Sequence, residues 1–292
     1  MSEQKFIEVS NLFFIDRDYK AGLSKVGLTS IEAVFSFNAG KNLIKNNIAR
    51  FRTRMQFEIS SPPVTLFLKR YDRPSILSQL KNWLNHHSRR SYGFFDFELA
   101  NKLAALGINT PKTICYGEQR GRFFEKRSFI ITEKIPNAES LEQKLPNCFE
   151  APATAENLKL RRNFIAQLAA FVKKFHETNY RHRDLYFSHI FYNSDSGFYL
   201  IDLARAFKPI LLAERFRIKD IAQLYYSAPG RYFSKTDRLR FYLGYNSHNR
   251  ITTKDKTFIR KVINKVKQMA RHNIKYGRQA PFANRTDSAV IT

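Results

Sequence analysis

The sequence predicts an α+β fold of two domains, an antiparallel β-rich domain followed by a mainly helical one. In the first half of the chain, short strand-type runs alternate with turn residues, whereas in the second half apolar residues recur at helical spacing. The composition changes between these halves at residues 133–136. We therefore expect a boundary there, which gives domains 1–134 and 135–292.

Three strand-type runs open the β-rich domain. They cover residues 33–37, 49–59 and 64–71, and the first two are separated by a turn at 38–40. Because side chains alternate along a strand, Thr65, Phe67 and Lys69 share one face of the third run. Lys69 is therefore predicted to be a charged side chain on a half-buried strand of an antiparallel meander.

A helix and a further strand complete this domain. Apolar residues at 95, 99, 103 and 106 recur at helical spacing, and Gly107 and Pro111 then end the helix. Glu98 lies beside this apolar stripe. Residues 129–132 form another apolar strand-type run.

The helical domain contains a charged segment between a helix and a hairpin. Apolar residues at 164, 168, 171 and 175 predict the helix, and Arg181-His182-Arg183-Asp184-Leu185 follows it. The apolar runs 190–192 and 198–202 flank a polar turn and predict the hairpin. The ends of this hairpin are expected to bring Asp184 and Asp202 close together, and residues 215–276 are expected to be helical.

These residues match the chemistry of phosphoryl transfer. That reaction needs a cation at the nucleotide phosphates, a carboxylate that holds Mg²⁺, and a carboxylate at the attacking hydroxyl. Lys69 suits the phosphates, and Glu98 on the next helix is placed to hold its ammonium. Asp184 would orient the acceptor hydroxyl and accept its proton, and Asp202 would coordinate Mg²⁺.

In this order of elements the chain resembles the protein-kinase-like superfamily. More narrowly, it resembles the lipopolysaccharide-core kinases, the heptose and Kdo kinases of Gram-negative bacteria. The resemblance covers roughly residues 35–245. It is carried by Phe67-Leu68-Lys69, by the segment 128–133, by His182-Arg183-Asp184-Leu185-Tyr186 with His189, by Leu200-Ile201-Asp202-Leu203, and by Lys219-Asp220-Ile221 with residues 224–227.

The resemblance implies a bilobal protein-kinase-like fold that uses ATP and Mg²⁺. It implies transfer of phosphate to a sugar hydroxyl of the lipopolysaccharide core, at the cytoplasmic face of the inner membrane. The acceptor is expected to be a heptose, or else Kdo, because residues 215–227 look more like the heptose kinases. It also implies functional roles for Asp184 and His189 in catalysis and for Asp202 in metal binding.

The chain departs from the family pattern at several positions. His189 stands where protein kinases have Asn, and since imidazole is a poor ligand for Mg²⁺, it is expected to contact phosphate or to brace the loop. Ala204 stands where this family usually has His. Gly40 and Lys41 are what remains of a phosphate-binding glycine loop, and Gly40 either approaches phosphate or only forms a turn. Asp220 is expected to hold the catalytic-loop backbone, or to be a charge at a helix N-terminus.

The charge balance predicts a polyanionic partner. The chain has 50 Lys and Arg against 25 Asp and Glu, a formal net charge of +25. We expect the core glycolipid, the anionic surface of the inner membrane and an acidic protein as partners, and no nucleic acid, since no nucleic-acid-binding motif occurs. Two basic regions, 81–90 and 254–278, are candidates for this contact. The second carries Phe258, Val262 and Val266 on one side, as in a membrane-surface helix or a terminal helix that packs one stripe.

The remaining features concern the compartment. Cys115 and Cys148 have neither metal-ligand spacing nor the pattern of a disulfide framework. Residues 1–14 lack the features of a signal peptide, and no apolar run is long enough to cross a bilayer. The expected location is the cytoplasm, on the periphery of the inner membrane.

Two other functions are compatible with the motifs. A protein kinase is one, but the connection from Asp202 to Asp220 is short for a peptide-binding segment. A catalytically silent pseudokinase that acts as a basic scaffold at the membrane is the other, as Ala204 and the poor glycine loop suggest. The retention of Lys69, Glu98, Asp184 and Asp202 argues against the pseudokinase.

Overall fold

The computed structural model describes residues 5–43, 51–149, 154–228, 230 and 232–277, except the side chains of 146–149. The chain forms two compact units. Unit 1 contains Met1–Pro136 and Asp202–Arg205, and unit 2 contains Asn137–Ile201 and Ala206–Thr292. The division after Pro136 lies two residues beyond the boundary expected from the sequence. That the short segment Asp202–Arg205 groups with unit 1 was not predicted.

Unit 1 is built on a seven-stranded antiparallel sheet with the order β1-β2-β6-β7-β5-β4-β3. Its strands are β1 (Phe6–Ser10), β2 (Phe13–Asp16), β3 (Lys41–Asn42), β4 (Arg52–Ser60), β5 (Pro63–Asp72), β6 (Thr113–Arg120) and β7 (Glu125–Glu133). Its helices are α1 (Lys20–Lys25), α2 (Ile31–Ser36), α3 (Ile76–His86) and α4 (Tyr92–Ala105). The predicted strands at 64–71 and 129–132 are confirmed as β5 and β7, and the described part of the run 49–59 is β4.

The strand predicted at 33–37 is wrong, because residues 31–36 form helix α2. Ser30 caps this helix, and its hydroxyl accepts a hydrogen bond from the backbone N–H of Ala33 at 3.1 Å. Ile31 and Val34 face the core one helical turn apart. The cap and this packing override the strand-type composition of the segment.

Strand β5 places Lys69 as the sequence predicted. Leu66 and Leu68 are 0% and 1% exposed and belong to the core of unit 1. Lys69 points to the other face, directly opposite Arg54 in the β4–β5 register. Helix α4 covers the sheet and ends before Gly107, whose φ of 73° is a left-handed conformation that suits glycine.

Unit 2 contains the predicted hairpin and helices. The sheet has the order β10-β9-β8, with β8 (Glu139–Ser140), β9 (Ile190–Asn193) and β10 (Gly197–Leu200). The helices are α5 (Leu141–Phe149), α6 (Ala155–Glu177), α7 (Ala213–Tyr226), α8 (Lys235–Asn246) and α9 (Thr253–Lys275). The antiparallel pairing of β9 with β10 confirms the hairpin that precedes Asp202.

Helix α9 packs its apolar side inside the protein. Phe258, Val262 and Val266 are 4 to 6% exposed, and α9 packs against α7. A membrane-surface helix that presents these residues to lipid is therefore wrong, and the helix is a terminal one that packs one stripe. Among the helices that the structure describes, none combines the length and apolar composition needed to span a bilayer.

Candidate active site

Lys69 in unit 1 is held by a buried carboxylate of α4. Its Nζ lies 2.5 Å from Oδ2 of Asp96, which is only 5% exposed. The hydroxyl of Tyr71 donates to the same oxygen at 3.2 Å, and burial raises the pKa of Tyr71 well above its usual value, so this donor stays protonated. The backbone N–H of Leu203 donates to Oδ1 of Asp96 at 3.0 Å. Asp96 therefore connects the strand lysine to the segment that carries Asp202.

The predicted pairing of Lys69 with Glu98 is wrong. Glu98 pairs instead with Lys102 on its own helix, at 3.1 Å and with both side chains partly exposed. Two residues along a helix correspond to a rotation of about 200°. When Asp96 faces the sheet, Glu98 therefore faces away from it. The alternative for Glu98, a helix-surface ion pair, is the one that the structure adopts.

Asp202 lies among three cations of unit 1. Its Oδ1 accepts a hydrogen bond from Lys69 Nζ at 3.1 Å, and its Oδ2 accepts one from Arg54 Nη2 at 2.8 Å. Arg52 approaches Oδ1 at 3.9 Å. Asp202 itself has a φ of 61°, a left-handed conformation that is uncommon outside glycine. We call Arg52, Arg54, Lys69, Asp96 and Asp202 the lysine cluster.

The lysine cluster suits the binding of a nucleoside triphosphate. Its three cations exceed its two carboxylates by one positive charge, and the Nε atoms of Arg52 and Arg54 are buried without a hydrogen-bond partner. Within the described residues no group of three His, Cys, Asp or Glu side chains could hold a metal ion. Since Mg²⁺ is commonly bound by one or two carboxylates together with substrate phosphates, the oxygens of Asp202 fit a magnesium ion that arrives with the nucleotide.

Gly40 has a structural reason to be glycine. A Cβ at this position would lie 2.7 Å from the backbone oxygen of Gln56 on β4, closer than real side chains approach. The glycine allows β3 to pair with β4, and Lys41 then projects into solvent. Residues 44–50, which follow, lie outside the described residues, so contact of Gly40 and Lys41 with phosphate stays a prediction.

Ala204 is a packing residue. It is 0% exposed and packs with Tyr71 and Tyr92 in a small cluster of unit 1. A histidine, which the family pattern would place here, would have to displace one of these buried rings. The packing of Tyr71 and Tyr92 around this position therefore explains why the chain has alanine here instead of histidine.

Asp220 holds the loop of residues 181–189 in unit 2, which carries the predicted catalytic residues Asp184 and His189 and which we call the catalytic loop. The Asp220 side chain is fully buried, and its two oxygens accept hydrogen bonds from the backbone N–H groups of His182 and Arg183, each at 2.8 Å. Burial alone would raise the pKa of Asp220, but its hydrogen bond with His176, the nearby imidazole of His182 and the hydrogen bond from the His182 backbone together hold the pKa below its usual value. Asp220 lies in the second half of α7, so the expected support of the loop is confirmed and a charge at the helix N-terminus is excluded.

Two more side chains of the same helix face hold this loop. Gln223 accepts from the backbone N–H of Leu185 at 3.1 Å and donates to the carbonyl of Arg183 at 2.7 Å. The hydroxyl of Ser227 accepts from the backbone N–H of Phe187 at 3.0 Å. With Asp220 these residues form a polar stripe at i, i+3 and i+7 that accepts hydrogen bonds from four backbone N–H groups of the loop, those of residues 182, 183, 185 and 187.

His189 braces the loop around Asp184. Its Nδ1–H donates to the backbone carbonyl of Asp184 at 2.7 Å, and the N–H of Tyr186 donates to the same oxygen at 2.9 Å. His182 is fully buried, and its Nε2–H donates to the carbonyl of Ile201 at 3.0 Å. Of the two roles that the sequence left open for His189, contact with phosphate and bracing of the loop, the geometry favours bracing. The proximity of Asp184 to Asp202 stays a prediction, since the two belong to different units.

An apolar cavity of about 260 Å³ lies elsewhere in unit 2. It is lined mainly by α6, α7, α8 and α9, including Leu168, Leu224, Phe241 and Ile263. None of the predicted catalytic or nucleotide-binding residues lines it. The cavity touches the catalytic loop at Phe187, whose side chain is part of its lining.

Sequence reasoning missed Asp96, Arg54 and Arg52. A signal for Asp96 was present, since it lies on the buried helical stripe with Leu99 and Leu103, where a carboxylate needs a partner. The two arginines alternate along β4 and therefore share one strand face. Their position beside Lys69 depends on the strand register, which the composition does not specify.

The chain matches the statistical model of a known family. The model of the lipopolysaccharide kinase (Kdo/WaaP) family matches residues 51–245. This range includes the lysine cluster and the catalytic loop.

Several named relatives are similar in sequence. The lipopolysaccharide core heptose(I) kinase WaaP of Escherichia coli K12 is 27% identical over 65% of this chain and 72% of that protein. The protein of the same name from Pseudomonas aeruginosa is 29% identical over 50% of this chain and 56% of that protein. The 3-deoxy-D-manno-octulosonic acid kinase of Mannheimia succiniciproducens is 30% identical over 37% of this chain and 42% of that protein.

A solved structure is similar in fold. It is described as WaaP in complex with acyl carrier protein, and it matches with a TM-score of 0.64 and 22% identity. The match covers 90% of this chain and 98% of that chain. Together with the β-rich unit 1 and the helical unit 2, it confirms the predicted α+β, protein-kinase-like fold.

Proposed function

Because the chain belongs to the lipopolysaccharide kinase (Kdo/WaaP) family, we propose that it transfers the γ-phosphate of ATP to a heptose of the lipopolysaccharide core. The family is the one that the catalytic-loop motif predicted. Kinase activity on a lipopolysaccharide sugar agrees with the names of the relatives, and heptose is favoured over Kdo because the matches to heptose(I) kinases cover more of the chain. The observation that carries the proposal is the contact of Lys69 with both Asp96 and Asp202.

The lysine cluster binds the nucleotide in this proposal. Lys69 places its ammonium at the phosphates, and Asp96, rather than Glu98, keeps that ammonium in position. Arg54 exchanges its contact with Asp202 for a phosphate oxygen, which frees the carboxylate to hold Mg²⁺. When bound, the magnesium ion neutralises charge that develops on the transferred phosphoryl group.

The catalytic loop handles the acceptor. Asp184 orients the sugar hydroxyl and accepts its proton as the new P–O bond forms, while the bond to the leaving ADP breaks. His189 and Asp220 hold the backbone on either side of Asp184, so the carboxylate needs little reorganisation during the reaction. The roles proposed here for Asp184, His189, Lys69 and Asp202 are the ones that the sequence predicts.

The experiment is incubation of the protein with ATP, Mg²⁺ and defined core glycolipids, followed by mass spectrometry. We expect one added phosphate on heptosylated core, and none on Kdo-lipid A or on added proteins. Asp184→Asn, Asp202→Asn and Lys69→Ala should each abolish or cripple transfer while the fold is kept. Phosphate confined to protein would establish a protein kinase, and no transfer to any acceptor would establish the pseudokinase.

The proposal includes a location and a protein partner. A net charge of +25 supports a position at the anionic cytoplasmic face of the inner membrane, where the glycolipid acceptor is accessible. The same charge supports an acidic protein partner, and the neighbouring structure in complex with acyl carrier protein suggests that kind of protein. Co-elution with purified acyl carrier protein at low salt, lost at high salt, is the expected result. Separate elution at both salt concentrations would contradict it.

A further inference from the structure

Helix α3 in unit 1 buries its polar side and exposes its apolar side. Its polar residues Gln79 and Asn82 are 2% and 5% exposed, whereas its apolar side chains face solvent. The exposed ones are Ile76 (56%), Leu77 (69%), Leu80 (40%) and Leu84 (75%). At about 100° per residue these four lie within an arc of about 100° on one side of the helix. An exposed stripe of this kind is typical of a surface that contacts another apolar phase.

The orientation of α3 is fixed by its polar side. Gln79 donates to the carbonyl of Pro74 at 2.8 Å and accepts from the N–H of Glu125 at 2.8 Å. Trp83 donates its Nε1–H to the carbonyl of Arg90 at 2.8 Å and stacks on Phe124 with a centroid distance of 5.4 Å. Because these contacts would be lost if the helix rolled, the leucines cannot turn inward without leaving buried polar groups unpaired.

Basic residues surround this apolar stripe. The contacts of Gln79 and Trp83 place the β6–β7 turn beside α3, and Phe123 in that turn is 62% exposed. The exposed basic residues of α3, its flanks and this turn are Arg73, Lys81, Arg89, Arg120, Arg122 and Lys126. Asp72 is the exposed acidic residue in the same segments, 72–91 and 120–126, since Glu125 is buried.

We infer that this surface docks the protein on an anionic lipid bilayer. We call it the α3 face, and it consists of the four exposed apolar residues of α3, Phe123 and the six basic residues around them. Apolar side chains enter the boundary between headgroups and acyl chains, while the basic side chains contact lipid phosphates. Leu77 and Leu84 are highly exposed and protrude from the surface. Protruding side chains suit contact with a planar bilayer, whereas a protein partner that inserts its own side chains would need a groove. The inference rests on the proposed function in that the acceptor is a membrane glycolipid.

The test uses the full chain and vesicles of phosphatidylethanolamine and phosphatidylglycerol. We expect the triple variant Leu77→Ser/Leu80→Ser/Leu84→Ser to partition into these vesicles at least tenfold more weakly than the parent protein. Each of the three replacements removes an exposed apolar side chain that would enter the bilayer. Lys81→Gln and Arg89→Gln should lower the partition coefficient roughly fivefold each, an effect that disappears on neutral phosphatidylcholine. The matched control is Leu160→Ser on α6, where Leu160 is 61% exposed, and it should bind as the parent protein does. Unchanged binding of the triple variant would overturn the inference.

Trp83 gives a direct readout, because it is the one tryptophan of the chain and lies on α3. When the protein is bound, lipids brominated on the acyl chain should quench its fluorescence. Bound protein without quenching would mean that another surface, such as the basic side of α9, makes the contact. If the triple variant loses binding to an acidic protein while its binding to vesicles is unchanged, the α3 face is a protein interface. That result would also overturn the inference.

A second assay separates docking from chemistry. With a deacylated, water-soluble core oligosaccharide as acceptor, the triple variant should transfer phosphate at the rate of the parent protein. With the glycolipid in vesicles it should be at least tenfold slower. If neither protein transfers phosphate to either acceptor, the proposed function fails, and the vesicle and fluorescence measurements, which need no acceptor, decide the docking inference by themselves.

Discussion

The replacement Asp96→Asn tests which carboxylate of α4 holds Lys69. Breaking a buried ion pair by removing one partner costs about 3–5 kcal/mol. Lys69 keeps Asp202 at 3.1 Å, so we expect the lower end of that range, about 3 kcal/mol in the free energy of unfolding. Glu98→Gln removes an exposed i, i+4 pair and should cost about 0.3–0.5 kcal/mol.

Urea unfolding followed by the fluorescence of Trp83 measures this difference, because that tryptophan reports on unit 1. We also expect the dissociation constant for ATP to rise about tenfold in Asp96→Asn, which corresponds to about 1.4 kcal/mol, and to stay unchanged in Glu98→Gln. Equal destabilisation by the two replacements, or weaker ATP binding in Glu98→Gln alone, would refute the assignment of Asp96.

Three further predictions follow from the contacts described above. Arg54→Met should weaken ATP binding about tenfold, because a charge-assisted hydrogen bond is lost, and titration with a fluorescent ATP analogue measures this. Arg127→Met, which removes a surface ion pair with Glu32, is the control and should leave ATP binding unchanged. Asp220→Asn should speed hydrogen exchange at the two loop amides that it holds and lower kcat, with ATP affinity kept; unchanged exchange would contradict its role. Burial raises the pKa of Glu125 to about 7, so the folded protein retains a proton that the unfolded chain loses, and stability falls as pH rises from about 4.5 to 7. Glu125→Gln should remove about 2–3 kcal/mol of that fall in urea unfolding, and an unchanged pH dependence would show that Glu125 titrates normally.

Local periodicity predicted much of the site. The position of Lys69 followed from strict alternation along β5, and the hairpin before Asp202 followed from two apolar runs around a polar turn. The helix of Asp96 and Glu98 was also predicted, but the choice between the two carboxylates was wrong because a shift of two positions reverses the side of a helix. The stripe of buried residues through Leu99 points to Asp96.

Other features depend on contacts that a local pattern does not contain. Arg54 lies beside Lys69 because of the register between β4 and β5. Helix α2 forms where the composition favours a strand because Ser30 caps it and Val34 reaches the core. The grouping of Asp202–Arg205 with unit 1 results from packing between residues more than 100 positions apart, as in the bond from Leu203 to Asp96.

That grouping also bears on the order in which the protein is completed during synthesis. The β-sheet of unit 1 is present once Pro136 has been made, but Ala204, which packs on Tyr71 and Tyr92, is made 68 residues later. At about 5–20 residues per second, translation of that interval takes roughly 3–14 s. During this time β5 carries Lys69 and α4 carries Asp96 without Asp202, and Tyr71 and Tyr92 lack the alanine that packs on them. Unit 1 therefore reaches its final form only after the whole first segment of unit 2, Asn137–Ile201, has been synthesised.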